Sequence, residues 1–148
     1  IELLGSESYT EQGLNRSFIA RKSFNNEKIL TRLNAMIHPE VGADFTRWVA
    51  LHDSSPVLLK ESALIFETSS HTELDQIILV LSPSALRIKR VLARDLHRDK
   101  KDIKAIISRQ LPAAETSLLA HFIIKNDERN LLLPQVLSIH KALIAQVS

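Results

Sequence analysis

QIILVL, Gln76 to Leu81, is the stretch on which the fold turns. It is apolar at every position from Ile77 to Leu81 and is stopped by Ser82-Pro83. A short run of consecutive apolar residues is what a parallel-sheet strand carries when helices cover both of its faces. Directly after it comes SALRIKRVLARDL, Ser84 to Leu96, which reads as a helix. Its Arg87, Arg90 and Arg94 are spaced by three and four, so they share one helix face.

Working upstream, VLLKESALIFE, Val57 to Glu67, opens on an apolar triplet bounded by turn residues, and Val57 to Leu59 is predicted to be a strand. Before it, Phe18, Ile19, Phe24, Ile29, Leu30, Leu33 and Ile37 recur at helical spacing between Leu14 and Ile37. Asn25 and Asn26 are expected to split this stretch into two helices, because asparagine favours caps and turns. A third helix is expected to start at Pro39, with Val41, Phe45, Trp48 and Val49 on its apolar side. Ser6 to Gly13 is a polar turn.

Downstream, Ser69 to Glu73 is a connector, Asp99 can cap a helix running to Gln110, and Pro112 starts another. HFIIK, His121 to Lys125, is a further strand followed by the turn NDER. The last helix covers about Asn130 to Val147, with Pro134 near its start, where proline is tolerated. This order predicts α/β architecture with a parallel sheet and a helical insertion before the last strand.

Composition sets the bounds. The 148 residues are about one domain's worth, with 45% hydrophobic residues for a core and only 3 glycines and 5 prolines. A formal charge of +2 admits anionic ligands without implying nucleic acid. With no cysteine, disulfides and thiolate metal sites are excluded. No apolar run approaches the ~18 residues of a membrane span. A soluble, cytoplasmic protein is the expectation.

Two groups of residues could carry chemistry. Glu61 and Glu67 follow a predicted strand, and open α/β sheets collect ligands beyond the carboxyl ends of their strands. A carboxylate there can hold magnesium or position a hydroxyl nucleophile, or it can be an ordinary solvent-facing charge. The arginine face suits phosphate oxygens, and Arg98, Lys100, Lys101, Lys104 and Arg109 extend its basic character. It also fits a solvated face with local pairing, such as Arg94 with Asp95. His38, in IHPE, sits where two predicted helices meet and could cap a helix end or touch a ligand. The six histidines show no metal-ligand spacing. Phe18, Phe45 and Trp48 are expected in the core. A phosphate cradle of the form G-x-x-x-x-G-K-[ST] is absent, since Gly5, Gly13 and Gly42 are isolated. The acidic strand end and the basic helix therefore resemble half of a phosphoryl-transfer site.

The order of motifs resembles the dephospho-coenzyme A kinase family over nearly the whole chain. GLNR through SFNNEKILTRLNAMIHPEV, Gly13 to Val41, is similar to that family's acceptor-binding helices, with Arg16, Phe24, Leu33, His38 and Pro39 at recurrent positions. ESALIFE resembles its D-x-P-L-L-F-E, with Glu61 at the aspartate and Glu67 at the closing glutamate. RIKRVLARD is similar to the entry into its lid, with Arg90, Arg94 and Asp95 matching, and Gln110 matches the end of the lid helix. IIKND followed by LLLPQV resembles the last strand, the turn at Asn126 and the C-terminal helix. The chain departs from the family at Ala63 for a proline, Arg87 for a glutamine, Ile106 for a lid arginine and Glu128 for a glycine.

The resemblance implies a P-loop kinase fold of the nucleoside-monophosphate-kinase type. It further implies transfer of the ATP γ-phosphate, with Mg2+, to the ribose 3′-hydroxyl of dephospho-coenzyme A. Residues 1–56 would form the acceptor-binding region, 57–83 the core strands, 84–119 the lid, and 120–148 the last strand and helix. Glu61 would lie at the metal and acceptor end of the sheet, and Arg90 and Arg94 would serve the phosphates. Arg109 and Asn126 would face ATP, while Arg16, His38 and Glu67 would face the acceptor. The partners would be these small molecules, with no nucleic acid and no membrane. The family's phosphate loop precedes the region seen here, so the chain alone is expected to be inactive and poorly folded, with an upstream segment in the natural protein. A second kinase of the same fold acting on another small molecule, or a non-catalytic basic helical module on an anionic partner, is the alternative.

Overall fold

In the computed structural model, which describes residues 3–24, 26–96 and 98–147, the chain divides at Leu58 into two units, Ile1–Leu58 and Leu59–Ser148. Within the first, the expected polar turn has structure of its own. A 3-10 turn at Ser6–Ser8 leads into an antiparallel hairpin of β1 (Tyr9–Thr10) and β2 (Gly13–Leu14). Gly13 takes a φ of 107°, which a residue with a Cβ rarely adopts. Leu14 is thus a strand residue, and the first helix begins at Asn15. Its Oδ1 accepts from the Phe18 backbone N–H at 3.2 Å, while its Nδ2 donates to the Glu7 carbonyl at 3.1 Å. That cap starts α1 (Arg16–Phe24), whose Phe18 is buried, with Arg21 and Lys22 over its ring.

Asn26 caps the next helix by accepting from the Ile29 N–H, as an asparagine break predicts. Asn25 lies outside the described residues. This helix, α2 (Glu27–Ala50), runs through Pro39 without interruption. The expected helix start at Pro39 is therefore corrected. Proline withholds one N–H and crowds the preceding turn, but the helical turns on either side carry the chain through. Neither Pro39 nor His38 stands at a junction. No described residue of α2 is buried, and Met36, Val41 and Trp48 are 59%, 55% and 39% exposed. Trp48, expected in the core, instead stacks between Phe45 and His52 along the helix surface.

The second unit holds the parallel sheet. β3 (Ile78–Leu81) pairs with β4 (Phe122–Lys125) in the register Ile78↔Phe122 to Leu81↔Lys125. Between them run α3 (Ser84–Arg94), α4 (Lys100–Ile107) and α5 (Ala113–Leu119), the insertion expected before the last strand, and α6 (Leu132–Val147) closes the chain. Ser69 to Glu73, expected as a connector, contains a 3-10 turn at Ser70–Glu73. The start of α4 is a capping box, in which Asp99 Oδ1 accepts from the Asp102 N–H at 2.8 Å and Asp102 reaches back to the Asp99 N–H.

The sheet is tied at both ends. His121 Nδ1 accepts from the Ile77 N–H at 3.0 Å, and the Asn126 N–H donates to the Leu81 carbonyl at 2.8 Å. Gln135 on α6 pairs with the last strand residue as a neighbouring strand would. Its Oε1 accepts from the Lys125 N–H at 2.8 Å, and its Nε2 donates to the Lys125 carbonyl at 3.1 Å and the Leu131 carbonyl at 2.8 Å. Ile77, Ile103, Ile124 and Ile139 form the buried core.

Two expectations for this unit are corrected. The strand expected at Val57 to Leu59 does not form, because strand geometry needs a hydrogen-bonded neighbour and the segment has no ladder partner among the described residues. Helices also do not cover both faces of β3. Val80 lies opposite Ile124 in the register, so Val80 and Ile123 point to opposite faces, and they are 56% and 40% exposed.

Candidate active site

β3 and β4 run parallel, so both carboxyl ends open on the same side, where open α/β sheets bind ligands. A cavity of about 460 Å³ lies there, lined by Pro83, Ala85 and Leu86 at the start of α3 and by Asp127, Glu128 and Arg129 after β4. Ser82 Oγ, at the end of β3, is buried without a hydrogen-bond partner. The turn after β4 is wound by Asp127. Its carboxylate accepts from the N–H groups of Arg129 at 3.0 Å and Asn130 at 2.9 Å and from the Asn130 side-chain amide at 2.9 Å. The backbone bond from Asn130, then that from Arg129, holds the Asp127 carboxyl below the usual aspartate range.

The three arginines on the α3 face meet different partners. Arg87 donates from Nη2 to Gln110 Oε1, and Gln110 Nε2 donates on to the Ala63 carbonyl at 3.4 Å. Arg90 bridges to the turn after β4, with Nη1 on the Asn126 carbonyl and Nη2 on Glu128 Oε1, both at 3.4 Å. Arg94 makes a bidentate pair with its neighbour Asp95 at 2.8 and 3.2 Å, which raises its pKa further, first through the hydrogen bond and then through charge. Its side chain is 75% exposed, and Asp95 also pairs with Arg98 at 3.4 Å. The local Arg94–Asp95 pairing weighed from the sequence is therefore present. Helical spacing put the arginines on one face, and the folded partners spread them along about two turns of it.

The remaining expected residues are dispersed. Glu61 is exposed in an irregular segment, and no ion pair joins it to Arg90 or Arg94 among the described residues. Glu67 Oε1 accepts from the Leu111 N–H at 2.7 Å, which docks the turn between α4 and α5. Arg109 follows α4 in the turn that leads to Gln110. Arg16 opens α1 and His38 lies inside α2, both exposed, in the first unit. The structure thus brings together Arg90 and Asn126 at one sheet end. It also adds Glu128, whose only mark in the sequence was its departure from a family glycine, and Gln135, whose pairing with Lys125 had no sequence signal. Among the described residues no three His, Asp or Glu side chains converge to hold a metal ion. No helix among them is long and apolar enough to cross a membrane.

Residues 1–131 match the family model for dephospho-CoA kinase. The chain belongs to the dephospho-CoA kinase family. It is 39% identical over 127 residues to the dephospho-CoA kinase of Leptospira interrogans (serovar copenhageni), covering 85% of this chain and 61% of that protein. Against the Bacteroides fragilis (strain ATCC 25285) enzyme of the same name it is 30% identical over 138 residues, covering 93% of this chain and 67% of the relative. The chain thus spans about three fifths to two thirds of the length of these relatives. The crystal structure of TT1252 from Thermus thermophilus superposes with a TM-score of 0.79 at 26% identity, covering 99% of this chain and 74% of that one. The α/β fold with a parallel sheet, expected from QIILVL and HFIIK, is the fold shared with that structure.

Proposed function

We propose that the protein to which these residues belong transfers the γ-phosphoryl group of ATP to the ribose 3′-hydroxyl of dephospho-coenzyme A. In that reaction the 3′-oxygen forms a bond to the γ-phosphorus, the bond from phosphorus to the β–γ bridging oxygen breaks, and the hydroxyl proton is lost. The products are ADP and coenzyme A. Family membership over residues 1–131 supports the reading. The observation that carries it to particular residues is the Arg90 bridge to the Asn126 carbonyl beside the cavity at the carboxyl ends of β3 and β4.

On this reading the cavity takes the nucleoside part of ATP. Its apolar wall of Pro83 and Leu86 suits a base, and the polar turn offers acceptors at the rim. Arg90 and Arg94 serve the phosphates, where planar guanidinium groups stabilise charge on the transferred group. Arg94 must exchange Asp95 for phosphate, and its exposure makes that exchange easy. Arg109 is a further cation for ATP, Glu61 faces the acceptor hydroxyl, and Arg16, His38 and Glu67 contact the acceptor. The proposed division of labour follows the sequence reading, with the sheet reduced to its observed strands: residues 1–56 bind the acceptor, 57–83 and 120–148 carry β3 and β4, and 84–119 form the lid. The side chains described here do not make a magnesium site by themselves. Mg2+ travels with the ATP phosphates, as is usual where few carboxylates are available. A cytoplasmic setting goes with these small-molecule substrates.

The test is conversion of dephospho-coenzyme A to coenzyme A, followed by mass spectrometry with ATP and Mg2+, using both the 148-residue chain and the product of the complete reading frame. ATP-dependent conversion by the latter is expected. Its absence, or a preference for a nucleoside monophosphate as acceptor, would overturn the assignment.

A further inference from the structure

The guanidinium of Arg90 is held from two directions. The Asn126 carbonyl is a main-chain acceptor that any residue would supply, but Glu128 Oε1 is a side-chain acceptor that depends on the residue at that position. Glu128 reaches Arg90 from a backbone with φ of 66°, one of two non-glycine residues with positive φ among those described. A residue with a Cβ pays conformationally for that geometry, and glycine does not. The turn does not need the Glu128 side chain for its shape, since Asp127 already winds it with three hydrogen bonds. Glu128 also lines the cavity of about 460 Å³, so it ties Arg90 to a residue of the cavity wall.

We propose that Glu128 is a positioning residue for Arg90, fixing its guanidinium at the edge of the cavity so that an adenine nucleotide meets an already ordered cation. This rests on the nucleotide reading given above. A long side chain loses rotamer freedom when a ligand fixes it, and a contact that orders it beforehand removes that cost from binding. The pair is partly exposed, with side-chain exposures of 39% for Arg90 and 61% for Glu128, so the effect is modest. Loss of the side-chain acceptor at position 128 should weaken ATP binding by about two- to fivefold, the range of an exposed pair.

The experiment compares the wild-type chain with E128G and E128Q in three measurements: the order of the Arg90 Nε–H group by 15N NMR, ATP affinity by titration, and the thermal midpoint. E128G should loosen Arg90 and weaken ATP binding while its thermal midpoint stays level or rises, because the positive φ is relieved. E128Q keeps the acceptor oxygen and should stay within about twofold of wild type in affinity. A purely structural role would instead lower the midpoint of E128G. An equally ordered Arg90 in E128G overturns the positioning role, and tighter ATP binding in E128G makes Glu128 a competitor of the phosphates. A wild-type chain that binds no ATP overturns the affinity effect along with the nucleotide reading, and the NMR measurement then judges the Arg90 contact separately.

Discussion

Replacing Gln135 with alanine isolates the contact by which α6 completes the sheet. The substitution removes the acceptor for the Lys125 N–H and the donor to the Lys125 and Leu131 carbonyls. Each intramolecular hydrogen bond contributes about 0.5–1.5 kcal/mol net. Lys125 is exposed, so water can replace part of what is lost, and the three bonds together should be worth about 1–2 kcal/mol. For a unit of this size that lowers Tm by roughly 5–10 °C. Circular dichroism melts give the global change, and hydrogen exchange at the Lys125 amide gives the local one, since that N–H donates to the Gln135 side chain. Q135E is the discriminating control. It keeps an acceptor for the Lys125 N–H but sets a carboxylate oxygen against two carbonyls, so it should be no better than alanine at neutral pH. A Q135A protein that melts within about 1 °C of wild type, with the Lys125 amide still protected, would refute the clamp.

Three further outcomes are expected. H121N should preserve the acceptor for the Ile77 N–H and melt near wild type, whereas H121A should lose about 1 kcal/mol in urea denaturation. D99A breaks the capping box of α4 and should cost about 1 kcal/mol, again by urea denaturation. Asp127 has a depressed pKa, so the turn it winds is fully supported above the ordinary aspartate range and loses that support as pH falls through the lowered value. Its carboxyl 13C shift should titrate below that of an unstructured aspartate, and titration at the ordinary value would contradict the hydrogen bonds drawn to it.

Much of the second unit was legible because its signals are local. A short apolar run ending in Ser-Pro, an aspartate placed to cap a helix, and prolines at helix starts each act within a turn or two of the chain. What stayed hidden depends on neighbours far along the chain. Val57–Leu59 has a strand's composition, yet composition cannot supply a ladder partner. Pro39 looked like a helix start because proline is favoured there, but whether a helix passes through proline depends on the turns around it. For the site, spacing placed Arg87, Arg90 and Arg94 on one face and offered Asp95 to Arg94, but could not say that Gln110 and Asn126 would take the other two. Glu128 stood out only as a departure from a family glycine, because a single polar residue in a turn carries no periodicity.

The bond between Arg87 and Gln110 spans 23 residues and ties the root of α3 to the far end of α4. In mechanical terms it is a collar. A load on the tip around Arg94 and Arg98 passes down two helices that are pinned together before they reach the sheet. Gln110 then transmits part of it to the Ala63 carbonyl, and the Leu111 N–H transmits part to Glu67. For the lid proposed above, the collar would confine the swinging arm to the portion beyond residues 87 and 110. Cutting it, as in Q110A, would lengthen the arm towards Ser84 and Leu111 and soften its root.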